Sequence, residues 1–252
     1  MNIDMPLTSQ LPALQTLWQE AFHDTKEFLD AFFHTAFSPD RCLTATVSNQ
    51  TAAALYWFDC LYKEKRLAYL YAVATSKAFR GQGICHKLME NTHRHLQTLD
   101  YEGAVLVPGN MGLFQFYEGM GYKICGRIRE FNCTASDDAV SLSKITQEAY
   151  AGLRRKLLPA GGILQEKENL AFLKTQADFY AGPGFLLAAY RERNRLYGME
   201  LLGDTAYAPA IVHALECTEG TFRTPGEDIP FAMYLPFKKG GDIPAYFGLA
   251  FD

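Results

Sequence analysis

The chain has 252 residues, of which 48% are hydrophobic and 21% charged, and its formal net charge is -4 at pH 7. These proportions are close to globular averages and exclude a disordered or fibrous protein. The charge balance argues against a nucleic-acid binder, which needs a basic face. No apolar run reaches the ~20 residues of a membrane-spanning helix. The first residues lack the basic stretch and apolar core of a secretory signal.

The cysteine pattern predicts reduced thiols in a cytoplasmic protein. No two cysteines form a C-x-x-C pair, so a structural zinc site is not expected and we assign no metal ligands. A chain of this size does not depend on disulfides for its stability. The six cysteines are Cys42, Cys60, Cys85, Cys125, Cys133 and Cys217.

The first forty residues predict two amphipathic helices, over 7–23 and 25–37, because apolar side chains recur at helical spacing. Pro12 suits a first helical turn, and Ser9 is a candidate N-cap. Pro39 follows the second helix, where a proline is expected to end it.

The apolar period then changes from that of helices to that of strands. Three β-rich segments separated by short polar turns predict antiparallel strands over 41–48, 52–62 and 66–75. Further along, the pattern predicts a helix over 84–99, a strand over 103–108, a short helix over 112–119 and a strand over 122–131. The order ααβββαβαβ is typical of an α+β domain with helices packed on a mixed sheet.

A polar stretch at 134–138 predicts a domain boundary, so we expect domains over 1–134 and 141–252. The second part predicts helices over 141–157, 166–180 and 208–216. A hairpin is expected over 185–203 with its turn near 192–194. Further strands are predicted over 220–224, 231–237 and 245–251.

The segment with the clearest chemical meaning joins the third strand to the long helix. There the segment RGQGIC, from Arg80 to Cys85, forms an Arg-x-x-Gly-x-small pattern that includes Gly81 and Gly83. Glycines let a backbone turn tightly and approach a ligand, and the free N–H groups of a helix N-terminus attract anions. An arginine can add a charge-assisted hydrogen bond. The residues suit a pyrophosphate, although two glycines alone also suit a simple strand-to-helix turn.

The segment VATSKAFRGQGICHKLM resembles motif A of the GNAT superfamily of N-acetyltransferases. Downstream, Asn110 and Tyr117 lie in NMGLFQFYEGMGY, which resembles the Asn-x6-Tyr-x3-Gly-Phe/Tyr signature of the same superfamily. The resemblance covers about residues 1–132. It implies a GNAT fold, which is a mixed, mostly antiparallel sheet flanked by helices, and acetyl-CoA as the acetyl donor.

Carried over position by position, the resemblance implies a role for each motif residue. Backbone groups at the strand end would pair with the pantetheine arm, and the loop with the first helical turn would wrap the pyrophosphate. Asn110 would bind pantetheine or hold the site, and Tyr117 would protonate the leaving thiolate, although Tyr117 also suits a core position. The expected coenzyme-binding residues are Val73, Ala74, Thr75, Arg80, Gly81, Gln82, Gly83, Ile84, Cys85 and Asn110.

The sequence differs in two features from a complete catalytic site of this family. Cys85 stands where the family usually has Gly or Ala, and we expect a small, unreactive residue there rather than an acyl acceptor. The strand before the loop holds no acid and no histidine. Asp59, Glu64 and His34 are the nearest alternatives, and for each a surface or structural role is the stronger interpretation. We therefore assign no general base, and water would remove the proton.

The second half carries neither motif, yet its helix-then-hairpin opening resembles another GNAT domain. We expect a smaller, degenerate GNAT-like α+β domain without a coenzyme site, as in tandem proteins of the enhanced-intracellular-survival-like group. That resemblance implies that a C-terminal carboxylate, here at Asp252, reaches the active site. An ordinary edge strand is the alternative.

Three functions are compatible with the sequence. The first is an N-acetyltransferase that moves an acetyl group from acetyl-CoA to a primary amine of a small molecule or peptide by direct attack. The second is a non-catalytic acyl-CoA sensor or scaffold, and the third is a nucleotide-binding protein. The third is weakest because the loop lacks the Lys-Ser/Thr of a P-loop. The pattern specifies neither the acceptor amine nor an oligomeric state. No nucleic-acid or membrane partner is expected.

Overall fold

The computed structural model describes residues 1–251 and divides into two compact units. The first contains Met1–Leu106 and Leu235–Gly241, and the second contains Val107–Tyr234 and the residues from Asp242 onward. The sequence-based division into 1–134 and 141–252 remains a prediction. The hypothesis about Asp252 falls on a residue outside the described part of the chain.

The first unit contains five neighbouring sheet strands in the order β1-β2-β3-β4-β5. Neighbouring strands are antiparallel except for β4 and β5, which are parallel. The strands are β1 (Asn2–Asp4), β2 (Cys42–Val47), β3 (Gln50–Tyr62), β4 (Lys65–Thr75) and β5 (Gly103–Leu106).

Three helices belong to this sheet: α1 (Leu11–Phe22), α2 (Lys26–Thr35) and α3 (Ile84–Thr98). Pro12 lies in the first turn of α1, where its missing N–H costs no hydrogen bond. The Thr25 side chain caps α2 by accepting a hydrogen bond from the N–H of Phe28. Apolar faces of all three helices are buried against the sheet.

The second unit contains a sheet with the order β13-β6-β12-β11-β10-β9-β7. Its neighbouring strands are antiparallel except for β11 and β12, which are parallel. The elements in chain order are α4 (Met111–Glu118), β6 (Lys123–Thr134), β7 (Ser143–Lys144), α5 (Gln147–Leu157), β8 (Leu164–Gln165), α6 (Glu168–Gln176), β9 (Asp178–Gly182), β10 (Phe185–Glu192), β11 (Arg195–Gly203), α7 (Ala208–Ala214), β12 (Glu219–Pro225) and β13 (Ile229–Pro236).

The α+β class predicted from the sequence is confirmed, and so is every helix and strand predicted between residues 7 and 131, within a few residues at each end. The hairpin predicted over 185–203 is also present as β10 and β11. Ser9 does not cap α1, because residues 8–10 form a turn of 3-10 helix before it. None of the described helices is long and apolar enough to cross a lipid bilayer.

Three predictions in the second half were wrong, two of them only in the bounds of a helix that is present. The helix expected over 166–180 ends at Gln176, and the residues after it form β9. The helix expected over 141–157 begins only at Gln147, after the Thr146 cap. The strand expected over 245–251 is absent: apart from a single bridge between Gly162 and Tyr246, this buried segment joins no described strand.

Backbone N–H and C=O groups of the 245–251 segment form hydrogen bonds with partners other than a neighbouring strand. The N–H of Ile163 donates to the carbonyl oxygen of Tyr246 at 2.8 Å. The Gln165 side-chain amide donates to the carbonyl oxygen of Leu249 at 2.5 Å and accepts from its N–H at 3.3 Å. The apolar and aromatic composition of this segment is therefore consistent with its burial, but the segment does not form a strand.

A fully buried ion pair lies at the centre of the second unit. Arg154 of α5 binds the carboxylate of Glu200 on β11 through two nitrogens, at 2.7 and 2.9 Å. The hydroxyls of Tyr150 and Tyr246 donate to the same carboxylate at 3.1 and 3.0 Å. The Glu200 carboxylate raises the pKa of Arg154 against the opposing effect of burial. Tyr246 thus ties the C-terminal segment to the core.

Candidate active site

The motif segment begins where β4 runs beyond its parallel neighbour. Pairing with β5 covers Leu67–Tyr69, whereas β4 continues to Thr75. No described register joins β5 to the last six residues of β4, which include Val73, Ala74 and Thr75. The edge of these residues is the kind of strand edge to which an extended ligand adds by backbone hydrogen bonds.

A β-bulge interrupts β4 directly before this free edge. Ala54 of β3 faces Ala74 and Tyr56 faces Tyr71, so Leu55 lies opposite both Ala72 and Val73. Ala72 has φ +48°, a conformation that costs a residue with a side chain about 1–2 kcal/mol. Bulges of this kind re-aim backbone groups and often lie beside active sites. The sequence carries no signal for this feature, because the strained residue is not a glycine.

The two loop glycines adopt the conformation for which glycine is needed. Gly81 has φ +75° and Gly83 has φ +72°, and a Cβ built on either one would meet no atom within 4 Å. Open space beside both residues means that their backbone is accessible to a ligand. Gly83 is the N-cap of α3, and no side chain caps that helix.

The N-terminus of α3 therefore presents unpaired donors. The N–H of Lys87 is the first to find a backbone acceptor, the carbonyl oxygen of Gly83 at 3.1 Å. Within the described residues, no backbone acceptor is found for the N–H groups of residues 82–86. Free N–H groups and the positive end of the helix dipole together favour an anion at this position.

Two polar side chains shape the loop itself. Arg80 is exposed, and its Nε donates to the carbonyl oxygen of Thr75 at 3.0 Å. The amide of Gln82 donates to the carbonyl oxygen of Ala78 at 3.3 Å. The Glu20 carboxylate of α1 accepts the N–H of Lys77 and so joins the loop to the first helix. The loop is thus held in shape by its own hydrogen bonds.

Ile84 and Cys85 open α3 on its inner side. Ile84 is buried, and Cys85 is half-buried. Burial raises the pKa of the Cys85 thiol, while a hydrogen bond with the Thr75 side chain acts in the opposite direction. A raised pKa leaves less of the reactive thiolate at neutral pH. Cys85 accordingly has the character of a small packing residue.

Asn110 and Tyr117 lie in the second unit, at the two ends of α4. The Asn110 side chain caps this helix by accepting the N–H of Leu113 at 3.2 Å. Tyr117 is 6% exposed, and its ring makes edge contacts with Phe116 at 5.2 Å and Tyr122 at 5.7 Å. Asn110 therefore stabilises the N-terminus of the helix that carries Tyr117.

The candidate bases have other roles. Asp59 accepts hydrogen bonds from the Tyr101 hydroxyl and from Arg66. Glu64 and His34 are exposed, at the β3–β4 turn and in the last turn of α2. None of these residues lies within the last six positions of β4. No group of three metal-binding side chains was found among the described residues.

Comparison with known proteins identifies a family whose model matches the part of the chain that contains this site. Residues 6–125 match the family model described as an acetyltransferase (GNAT) domain. The matched range contains both the glycine loop and Tyr117. No curated protein matches the chain at a significant level.

Solved structures share the fold over most of the chain. A GCN5-related N-acetyltransferase from Kribbella flavida is 14% identical and has a TM-score of 0.73, with 92% of this chain and 70% of that one covered. One from Anabaena variabilis is 13% identical, with a TM-score of 0.74 and 92% and 72% covered. Eis1 from Mycobacterium abscessus is 12% identical, with a TM-score of 0.66 and 90% and 67% covered. At these identities the likeness concerns the fold, and the family model assigns residues 6–125 to the GNAT acetyltransferase domain family.

Proposed function

We propose that this protein transfers the acetyl group of acetyl-CoA to a primary amine by direct attack. The observation that carries the proposal is the succession of a free strand edge, a glycine loop with an accessible backbone and an uncapped helix N-terminus. An extended chain that ends in a pyrophosphate matches this succession in order. Acyl transfer is also the chemistry of the acetyltransferase family whose model matches residues 6–125.

The coenzyme would bind along Val73–Thr75 and end at the loop. Its pantetheine amides would pair with the free edge of β4 as an added strand. Its pyrophosphate would accept hydrogen bonds from the N–H groups of residues 82–86 and from the outer nitrogens of Arg80. Cys85 would contribute its backbone N–H, and Ile84 would anchor the helix in the core.

The reaction would form one bond and break one. The amine nitrogen attacks the thioester carbonyl carbon, a C–N bond forms, and the C–S bond breaks. A backbone N–H at Val73–Thr75 would stabilise the charge on the carbonyl oxygen. The ammonium group would first lose one proton to water, which leaves the neutral amine that attacks. Tyr117 would give its proton to the departing thiolate, and a second proton from the attacking nitrogen would return through water to the Tyr117 oxygen. The net products are an amide, coenzyme A with a thiol, and one proton.

A non-catalytic acyl-CoA sensor is the second candidate function. It is favoured by the lack of an acid or a histidine in β4. It is also compatible with our further proposal that residues 141–252 are a degenerate GNAT-like domain without a coenzyme site. A sensor would bind acetyl-CoA through the same loop but would not consume it.

The two functions separate in an assay of coenzyme A release. Purified protein is incubated with acetyl-CoA and a panel of primary amines, and free thiol is measured with a chromogenic disulfide. An enzyme shows release that depends on the amine, together with an acetylated product of matching mass. Binding of acetyl-CoA without amine-dependent release by any member of the panel would favour the sensor.

A further inference from the structure

A dense group of aromatic rings lies between the first two helices and the sheet. We call it the aromatic cluster, and it consists of Trp18, Phe28, Phe32, Phe33, Phe37, Tyr56 and Tyr71. Trp18 is central: its ring lies 4.6 Å from Phe32 and 5.5 Å from Tyr71, measured between ring centroids. Phe33 lies 5.0 Å from Phe37 in the same way.

The cluster has a buried layer and an outer layer. Trp18, Phe32 and Tyr56 are at most 3% exposed and act as core residues. The outer rings are only half-buried, so part of each ring surface is in contact with solvent. The outer rings are those of Phe28, Phe33, Phe37 and Tyr71. Small-molecule sites are lined mainly by apolar and aromatic side chains, so this partly exposed surface is a candidate site for the ring of a ligand.

The position of the cluster links it to the proposed reaction. Tyr71 immediately precedes the bulge at Ala72, and the strand end that would hold the thioester begins at Val73. Helix α1 lies beside both β4 and the loop. Trp18 contacts Tyr71 of β4, and the Glu20 carboxylate accepts the N–H of Lys77 in the loop. A molecule resting on the outer rings would therefore lie next to the acetyl group.

The charges beside the cluster suit an ammonium group. Glu20 lies in the last turn of α1, which contains no basic residue, and Asp24 follows the C-cap residue His23. A helix C-terminus carries partial negative charge, and aromatic faces attract cations. Asp24 also accepts the indole N–H of Trp18 at 2.8 Å, which places its carboxylate against the cluster. Arg41, the nearest arginine in sequence to α2, donates to the carbonyl oxygen of Ala36.

We infer that the acceptor is an arylalkylamine, that is, a primary amine joined by a short alkyl chain to an aromatic ring. This inference rests on the proposed acetyl transfer and names the acceptor of that site. The ring would stack against Phe33 and Tyr71, and the ammonium group would enter beside Asp24 before it loses its proton. A flexible aliphatic polyamine offers no ring for these surfaces.

The test compares acceptors that differ only in the ring. We would measure kcat/KM for 2-phenylethylamine, 2-cyclohexylethylamine and spermidine at saturating acetyl-CoA. The wild type should prefer 2-phenylethylamine by about tenfold or more over the other two. In Phe33→Leu this preference should fall at least fivefold, mainly through KM, while the affinity for acetyl-CoA stays unchanged. The control Tyr190→Leu changes a ring that is exposed in the second unit and stacks on Tyr197, and it should behave as the wild type.

Each outcome decides the inference. Equal or better use of spermidine or 2-cyclohexylethylamine would overturn it and leave acetyl transfer standing. Tight acetyl-CoA binding without acetylation of 2-phenylethylamine would also overturn it. A fold change seen equally in Tyr190→Leu would show that Phe33 has no specific role. Failure to bind acetyl-CoA at all would instead overturn the proposed function, and the inference with it.

Discussion

The Nε of Arg80 donates a hydrogen bond to the carbonyl oxygen of Thr75, so the guanidinium folds back over the end of β4. This bond closes the loop between the strand and α3 before any ligand is bound. It leaves the outer nitrogens of Arg80 for an anion at the helix N-terminus. A site held ready in this way loses less conformational entropy on binding.

Gly83 should be needed for the coenzyme more than for the fold. Gly83→Ala places a side chain at φ +72° and should lower the free energy of unfolding by about 1 kcal/mol. The added methyl group would project into the open space beside the loop, so acetyl-CoA affinity should fall about tenfold. Urea denaturation and calorimetric titration measure the two effects.

Gly240→Ala is the matched control for this substitution. Gly240 has φ +77°, and a Cβ there would also meet no atom within 4 Å. It should therefore incur a similar loss of stability with no loss of acetyl-CoA affinity. Equal loss of affinity in both variants would mean that Gly83 acts through stability alone.

Tyr117→Phe should separate catalysis from binding. The variant keeps the ring contacts with Phe116 and Tyr122 but removes the proton that would go to the thiolate. We expect turnover to fall about 100-fold, within the range for loss of a general acid, with unchanged acetyl-CoA affinity and melting temperature. Turnover within twofold of the wild type would assign Tyr117 a packing role only.

The buried ion pair of the second unit should be sensitive to the loss of either partner. Arg154→Met leaves the Glu200 carboxylate buried without its cation and should lower the free energy of unfolding by about 3–5 kcal/mol. Replacing both residues, as Arg154→Met with Glu200→Leu, should restore part of that loss. Urea denaturation gives all of these values.

The neighbouring Arg155 provides the control for that experiment. Arg155 pairs with Glu166 at 2.5 Å, but its side chain is 56% exposed. Arg155→Met should therefore change the free energy of unfolding by at most about 1 kcal/mol. Similar losses for Arg154→Met and Arg155→Met would contradict the importance of burial here.

His93 should make the fold sensitive to mild acid. Burial lowers its pKa to about 4, against the opposing effect of Glu90, and the neighbouring His86 lowers it further. In the unfolded chain a histidine has a pKa of about 6.5, so the unfolded state binds more protons between these values. The contribution of His93 is complete above pH 6.5 and is lost as the pH falls towards 4.

Comparison with His93→Gln isolates this contribution from other titrating groups. The difference in free energy of unfolding between wild type and variant should decrease steadily from pH 6.5 to pH 4.5. A difference that stays constant over this range would show that His93 does not titrate between the folded and unfolded states in the expected way.

The sequence predicted the elements up to residue 131 well because the signals there are local. Helical and strand periods are clear up to residue 131, and Gly81 and Gly83 mark a turn that needs positive φ. The bulge at Ala72 was not predicted, since its cause is the register between β3 and β4. Tertiary pairing of this kind leaves no pattern in a single strand.

The failures in the second half have similar physical causes. No glycine or proline occurs between Gln176 and Gly182, so no local signal indicates that α6 ends at Gln176 and that Phe179 belongs to a strand. The 245–251 segment has the composition of a strand, but Gln165 satisfies Leu249 through its side chain. The burial of Glu200 could not be predicted from the sequence, because the partners that stabilise its buried carboxylate are distant in the chain. The charged partner, Arg154, lies 46 positions away.

The most direct test of the central claim is calorimetric titration of the protein with acetyl-CoA, beside the Arg80→Ala/Gly83→Asp variant. The loop mechanism predicts one saturable site in the wild type, with binding abolished in a variant whose circular dichroism shows a retained fold. Absence of binding to the well-folded wild type would contradict it, as would equal affinity in the variant. Either result would reduce the glycine loop to a turn between a strand and a helix.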